Sequence, residues 1–209
     1  MEGCHDAGCD PDAIDADSTL ALVGCPNVGK SVVFGELADR YVDVSNYPGT
    51  TVDTTEAAFD GRRLTDTPGV HGISSFDEEE RVTRDIVLDA DAVVNVVDAT
   101  HLDRDLFLTL QLLDMGIPTV VALNMMDEAE ADGIEIDVAA LEDALGVPVV
   151  PTVAIDGEGF AELRERVPEA TAPESTDIEA YYDELPDELE APRREKTLLV
   201  EGDEPLGRQ

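Results

Sequence analysis

The residues best suited to chemistry are Gly24, Cys25, Pro26, Asn27, Val28, Gly29, Lys30 and Ser31, which fit the phosphate-loop pattern G-x-x-x-x-G-K-S/T. Glycines at Gly24 and Gly29 let backbone N–H groups turn inward around phosphate oxygens. The helix that starts near Val32 adds the positive end of its dipole. Lys30 offers a point charge to β- and γ-phosphates, and Ser31 a hydroxyl to Mg²⁺. A second set, Asp66, Thr67, Pro68 and Gly69, follows a strand pattern; Asp66 would hold Mg²⁺ through water, and the Gly69 N–H would meet a γ-phosphate. A third, Asn124, Met125, Met126 and Asp127, matches N/T-K-x-D with Met125 in place of Lys. Asp127 can accept from guanine N1–H and the 2-amino group together. Adenine has neither donor there, so discrimination should be on the order of 10⁴. The weakest signal is Val153, Ala154 and Ile155, where a backbone N–H near Ala154 would meet guanine O6; it rests on position alone. Between the first two sets, the stretch Tyr41 to Asp53 (Gly49, Thr50, Thr51, Val52 and Asp53 at its end) would carry a threonine that completes Mg²⁺ coordination. The chemistry leaves Thr50 and Thr51 both open.

These sets need elements to hold them. Strand signals fall at 19–24, 52–59, 62–65, 92–99, 117–124 and 148–154, with the turn Asp60-Gly61 splitting the second from the third. Helices fit from the phosphate loop to about Arg40, then 77–88 with Asp77 as cap and Val82, Ile86 and Val87 as apolar stripe, 103–115, 137–145 and 158–167. Residues 41–51 read as a loop. Strands alternating with helices imply a three-layer α/β fold, a mostly parallel sheet with helices on both faces, whose ligands sit beyond the carboxyl ends of the strands. Residues 1–18 read as a disordered acidic tail, 19–168 as one domain, and 169–209 as an acidic linker with one short helix near 177–190.

The balance of 49 acidic against 13 basic residues gives −36, and Lys30 and Lys196 are the only lysines. Hydrophobic residues still make up 43%, so the chain can fold around a Val, Leu, Ile and Ala core. A Lys-poor acidic surface suits molar salt, where the Debye length shrinks to roughly 3 Å and self-repulsion fades; a halophilic source is expected. No basic stripe exists for nucleic acid. No apolar run is long enough to span a bilayer, and no export signal is present, which points to the cytosol. Cys4, His5 and Cys9 could hold a soft metal but fall short of a closed four-ligand site. Cys25 reads as a small spacer, His71 as solvent-facing, and Glu78, Glu79 and Glu80 as a solvated helix start.

NYPGTTVD, DTPGV, EEERVTRD, VVNVVDAT, LTLQLLDMGIPTVVALNMMDEA and GVPVVPTVA together resemble the cytosolic G domain of the ferrous-iron transport protein B (FeoB) family, over about residues 19–167. The resemblance implies a Ras-like P-loop GTPase that binds GTP and GDP with Mg²⁺ and serves as a regulatory switch for Fe²⁺ transport. Catalysis would then involve Lys30, Asn27, Thr51 and Gly69. The family pattern on Asn46 to Val52 picks Thr51 beside Ser31 and Asp66 at Mg²⁺, and puts K⁺ at Asn27. Val70 stands where many GTPases keep a water-orienting Gln, implying slow, K⁺-stimulated turnover. REKTLLVEGDEP, 194–205, is similar to the stretch that follows the family's helical spacer, which looks truncated here. A membrane iron permease, as a domain or a subunit, would be the partner at the cytoplasmic face of the cell membrane. The oligomeric state stays open. Two other readings are a free-standing K⁺-activated GTPase in ribosome or tRNA maintenance and a switch module without turnover.

Overall fold

The computed structural model describes residues 15–73, 77–177 and 192–200. Cys4, His5, Cys9 and all but the first residue of the helix expected near 177–190 lie outside them. Seven strands form one sheet in the order β2-β3-β4-β1-β5-β6-β7. They are β1 Asp15–Gly24, β2 Arg40–Asn46, β3 Asp53–Phe59, β4 Arg62–Asp66, β5 Ala92–Asp98, β6 Thr119–Asn124 and β7 Val149–Pro151. The pairs β2–β3 and β3–β4 are antiparallel and the other four parallel. Among the described residues seven α-helices accompany them: α1 Lys30–Leu37, α2 Glu78–Asp89, α3 Leu102–Asp114, α4 Met126–Ala131, α5 Val138–Leu145, α6 Phe160–Arg166 and α7 Arg193–Val200.

Local chemistry accounts for most boundaries. Asp60 and Gly61 both take positive φ, 46° and 77°, as the tight two-residue turn between right-twisted strands requires. The Asp77 carboxylate accepts from the Glu80 N–H at 2.8 Å, a cap worth about 1 kcal/mol, and three glutamates in the first turn of α2 suit its dipole. The β-branched runs of β5 and β6 are buried along their whole length, as strands covered on both faces must be. The one amide inside β5, Asn95, is satisfied by the Thr109 hydroxyl at 2.7 Å.

The structure departs from the expected elements in several places. Residues 41–46, expected as loop, continue β2 as an edge strand paired with β3; the alternation of Val42 and Val44 with Asp43 and Ser45 is a strand pattern. The first helix stops at Leu37 rather than Arg40. β1 starts at Asp15, inside the stretch expected to be disordered, and pairs with Arg62. β7 ends at Pro151, which lacks an N–H to continue a ladder. The short α4 carries no apolar period of its own. Within the expected linker, α7 returns to the body: Leu198 is fully buried in the main core cluster. Arg193 donates to the carbonyls of Leu113, Asp114, Pro173 and Glu174, and Arg194 to that of Leu88.

Because the central strands run parallel, their carboxyl ends share one edge. Register pairs Leu22 with Asp66, Gly24 with Val96, and Asp98 with Asn124. The sequence sets after β1, β4, β6 and β7 therefore converge on that edge.

Candidate functional site

The phosphate-loop turn is shaped by close packing as much as by backbone freedom. A Cβ on Gly24 would fall 2.7 Å from the Val96 carbonyl oxygen, so this glycine lets β1 approach β5. Gly29 has φ +84°, and a Cβ there would sit 2.4 Å from Asn124 Nδ2. Asn27 also takes positive φ, 68°, and is exposed with Ser31. Val28 is buried and offers its carbonyl to Asn124 Nδ2 at 2.9 Å. Burial, with the charge and hydrogen bond of Asp105, pushes the Cys25 thiol up to about 12. Asp105, itself buried, also accepts from the Asp98 N–H at 3.0 Å and Arg104 Nε at 2.6 Å. It joins the loop floor to the ends of β5 and α3.

Lys30 Nζ bonds Asp66 Oδ1 at 2.5 Å and also the Thr67 carbonyl. Both side chains of the ion pair are mostly buried. Burial raises the Asp66 carboxyl above its ordinary value, while the Lys30 charge and hydrogen bond work against that rise. Thr67 turns its hydroxyl to the Leu22 carbonyl at 2.9 Å, away from the site. A Cβ on Gly69 would meet Pro26 Cα at 3.1 Å, so a larger residue would push the Asp66–Gly69 segment off the phosphate loop. Val70 is buried, with its N–H on the Gly24 carbonyl at 3.2 Å, and His71 is exposed.

The two threonines left open by chemistry differ in their bonding. Thr50 is used inside its own turn: its hydroxyl donates to the Tyr47 carbonyl at 2.9 Å and accepts from the Val52 N–H at 3.2 Å. Gly49, with φ +83°, serves the same turn. Thr51 instead reaches across to Glu78 Oε2 at 3.1 Å. A cleft of about 620 Å³ lies there, lined by Thr51, Val52, Asp53, Pro68, Gly69, Asp77, Glu78 and Glu79. A second, of about 530 Å³, is lined by the phosphate loop, Val32 and Met125 and shares Gly69 and Glu79 with the first. Glu78 and Glu79, read from sequence as a solvated helix start, thus border the site. Their place just beyond Asp66–Gly69 was the available signal. Among the described residues no three His, Cys, Asp or Glu side chains gather closely enough to hold a metal. The hard oxygens of Ser31, Thr51 and Asp66 nonetheless suit Mg²⁺ when phosphate and water oxygens complete the shell, and the Asn27 amide oxygen suits a monovalent cation.

At the other end, Asn124 fastens three segments. Besides its bond to Val28, its Oδ1 accepts from the Ala154 N–H at 3.0 Å and the Thr152 hydroxyl at 3.3 Å. The Ala154 N–H, expected on a base oxygen, is therefore engaged within the chain. Met125, at φ 63°, brings its Cε within 3.9 Å of the Cβ position of Gly29. Met126 packs into the second core cluster, away from the cleft. Asp127 stands exposed in the first turn of α4, and Ile155 is 74% exposed in the Val153–Ile155 segment that Asn124 secures through Ala154.

The family model described as Ferrous iron transport protein B matches residues 18–167. The Fe(2+) transporter FeoB of Escherichia coli is 37% identical over 183 residues, covering 83% of this chain and 24% of that protein. This chain thus spans about a quarter of the length of that relative. Among solved structures, a mutant of S. thermophilus NFeoB bound to GDP superposes with a TM-score of 0.82 at 33% identity, covering 91% of this chain and 82% of that one. A second S. thermophilus NFeoB structure, bound to GDP.AlF4-, gives 0.77 at 34% identity, covering 91% and 82%. No helix among the described residues is long and apolar enough to cross a membrane.

Proposed function

This chain belongs to the ferrous iron transport protein B family, and from that premise we propose that it is a guanine-nucleotide switch serving ferrous-iron transport, hydrolysing GTP to GDP and phosphate. The observation that carries the reading is the Asn124 side chain, which binds the phosphate loop at Val28 and the Ala154 segment at once. It sets the phosphate cradle at a fixed distance from the place where Asp127 would read the base.

In this reading Lys30 exchanges partners. Its ammonium would leave Asp66 for the β- and γ-phosphates, and the freed carboxylate would be among the groups that hold Mg²⁺ through water. Bound Mg²⁺ would neutralise charge on the phosphate oxygens, and K⁺ at Asn27 would add positive charge beside them. Ser31 and Thr51 would supply hydroxyls to hold Mg²⁺. Thr51 would give up Glu78 to do so, which would couple the γ-phosphate to the start of α2. The Gly69 N–H meets the same phosphate. Val70, apolar and buried, orients no water, so turnover is slow and K⁺-stimulated. Asp127 accepts the two guanine donors, and the wall formed by Val153, Ala154 and Ile155 closes the base end. Loss of the Thr51 and Gly69 contacts on hydrolysis resets the switch. Its reader would be a membrane iron permease, a domain or a separate subunit, with this domain on the cytoplasmic face. The acidic surface places its working range in high salt.

Equilibrium binding of GTP, GDP and ATP in molar KCl, with Asp127→Asn as control, tests the reading. Guanine preference should exceed adenine by orders of magnitude, and the variant should move toward xanthine nucleotides. Undiminished guanine preference in the variant would refute the base assignment. Replacing K⁺ by Na⁺ at equal ionic strength should lower turnover severalfold; equal rates would remove Asn27 from the mechanism.

A further inference from the structure

The chain is sparing with aromatic side chains, 4% of its residues. Phe34, Phe59 and Phe160 are all buried, yet Phe107 is 58% exposed, and Leu110 one turn further along α3 is 50% exposed. The buried side of α3 is Asp105, Leu108, Thr109, Gln111, Leu112 and Leu113, which already seats the helix on the body. Val32, exposed as well, lines the phosphate-loop cleft, and Ile155 lies in the segment that Asn124 secures; Phe107 and Leu110 are used by nothing described so far.

Helical spacing places Asp103, Phe107, Leu110 and Asp114 in one line, an apolar pair with a carboxylate a turn beyond each end. The stripe adjoins the segment that follows Gly69. The Phe107 ring lies 3.5 Å from where a Cβ on Gly72 would be, and Gln111 Oε1 accepts from the Ile73 N–H at 3.2 Å. Phe107 and Gln111 therefore pack directly on the segment that follows Gly69, the residue assigned above to the γ-phosphate.

We propose that this stripe is the docking surface for a cationic amphipathic helix of a partner protein, one that sets aliphatic side chains on Phe107 and Leu110 and Arg or Lys side chains on Asp103 and Asp114. Charge selects the occupant. The two carboxylates, on a chain of net charge −36, repel anionic lipid headgroups, nucleic acid and a second acidic copy, and favour a basic segment. The proposal rests on the switch reading above and names the surface through which the switch is read.

The test uses the whole 209-residue chain and two synthetic helical peptides, one of leucine and arginine in amphipathic order and one with the same residues scrambled. Fluorescence anisotropy is measured in salt high enough to suppress general attraction, with GDP and with a non-hydrolysable GTP analogue. The amphipathic peptide should bind at least tenfold more tightly than the scrambled one, with a severalfold difference between nucleotides. Phe107→Ser with Leu110→Ser leaves the charge unchanged and should erase that preference, while GDP affinity stays within twofold. Asp103→Asn with Asp114→Asn should weaken the amphipathic peptide by a smaller factor. Equal binding of both peptides, or retained preference in the serine variant, overturns the proposal. So does self-association of the chain that the serine variant abolishes, since a second copy would then be the occupant. Failure of the parent chain to bind any guanine nucleotide would instead sink the switch reading, and the GDP measurement registers it separately.

Discussion

The two ends of the nucleotide cleft are built on opposite plans. Around the base, the buried Asn124 side chain makes three hydrogen bonds to segments far apart in sequence, and every partner is backbone or a buried hydroxyl. Around the γ-phosphate position, Thr51 and Glu78 are both exposed and meet through a single bond of 3.1 Å. Breaking the first leaves polar groups stranded in a dry interior; breaking the second hands two polar groups to water. Recognition is thus preorganised, and the sensing end is held by contacts cheap enough to exchange.

Removing the fastening is the severest way to attack that contrast. Asn124→Ala strands the Val28 carbonyl and the Ala154 N–H, which should cost about 3 kcal/mol of stability and lower GDP affinity with it. Urea unfolding and calorimetric titration would register both, and a loss below about 1 kcal/mol would mean the two segments hold each other without it. Lys30→Ala should come next, weakening GDP and GTP-analogue binding by roughly a hundredfold, about 2.7 kcal/mol, through loss of a charge-assisted contact. Thr51→Ala sharpens the comparison: roughly tenfold weaker GTP-analogue binding with Mg²⁺ and less than twofold for GDP, since the residue senses the γ-phosphate alone. Equal losses for both nucleotides would place Thr51 among the preorganised groups.

The smallest effect lies outside the cleft and calibrates the others. The Val149 N–H, then the Arg166 guanidinium, hold the Glu142 carboxyl below its ordinary value of 4.5. A depressed carboxyl stabilises the fold above its unfolded value and loses that contribution as pH falls through the folded one. Because Glu142 is 35% exposed, solvent limits the effect to about 0.5 kcal/mol. Glu142→Gln should therefore be slightly less stable at neutral pH, and melting curves of the two proteins should converge as pH falls from 4.5 through the lowered folded value. A constant gap down to low pH would show that the residue acts by packing rather than charge.

What the sequence made legible follows the reach of each interaction. The turn at Asp60-Gly61, the Asp77 cap and the phosphate loop depend on neighbours a few residues apart, and their residue types announce them. The residue types left Thr50 and Thr51 open and the family pattern picked Thr51; the hydrogen bonds of the 47–52 turn add that Thr50 is occupied within its own turn. Asn124 could be read as part of a base-recognition motif, but its bond to a carbonyl 96 residues away has no local signature. Gly24 and Gly69 were marked as glycines that matter, and only the packing showed that neighbouring backbone, rather than a positive φ, excludes a side chain there. Asp105 and α7 were missed for the same reason: a buried carboxylate and a docked helix look like any charged stretch until their partners arrive.

The seating of α7 has a consequence for engineering. Arg193 reaches the carbonyls of Pro173 and Glu174 and the Thr176 hydroxyl, so two stretches 17 residues apart in sequence are tied side by side. Lengthening the chain between two fixed ends costs only about 0.6 kcal/mol for each doubling. A folded reporter spliced between those stretches should ride on the domain without loosening it, a ready berth for a fluorophore on a working switch.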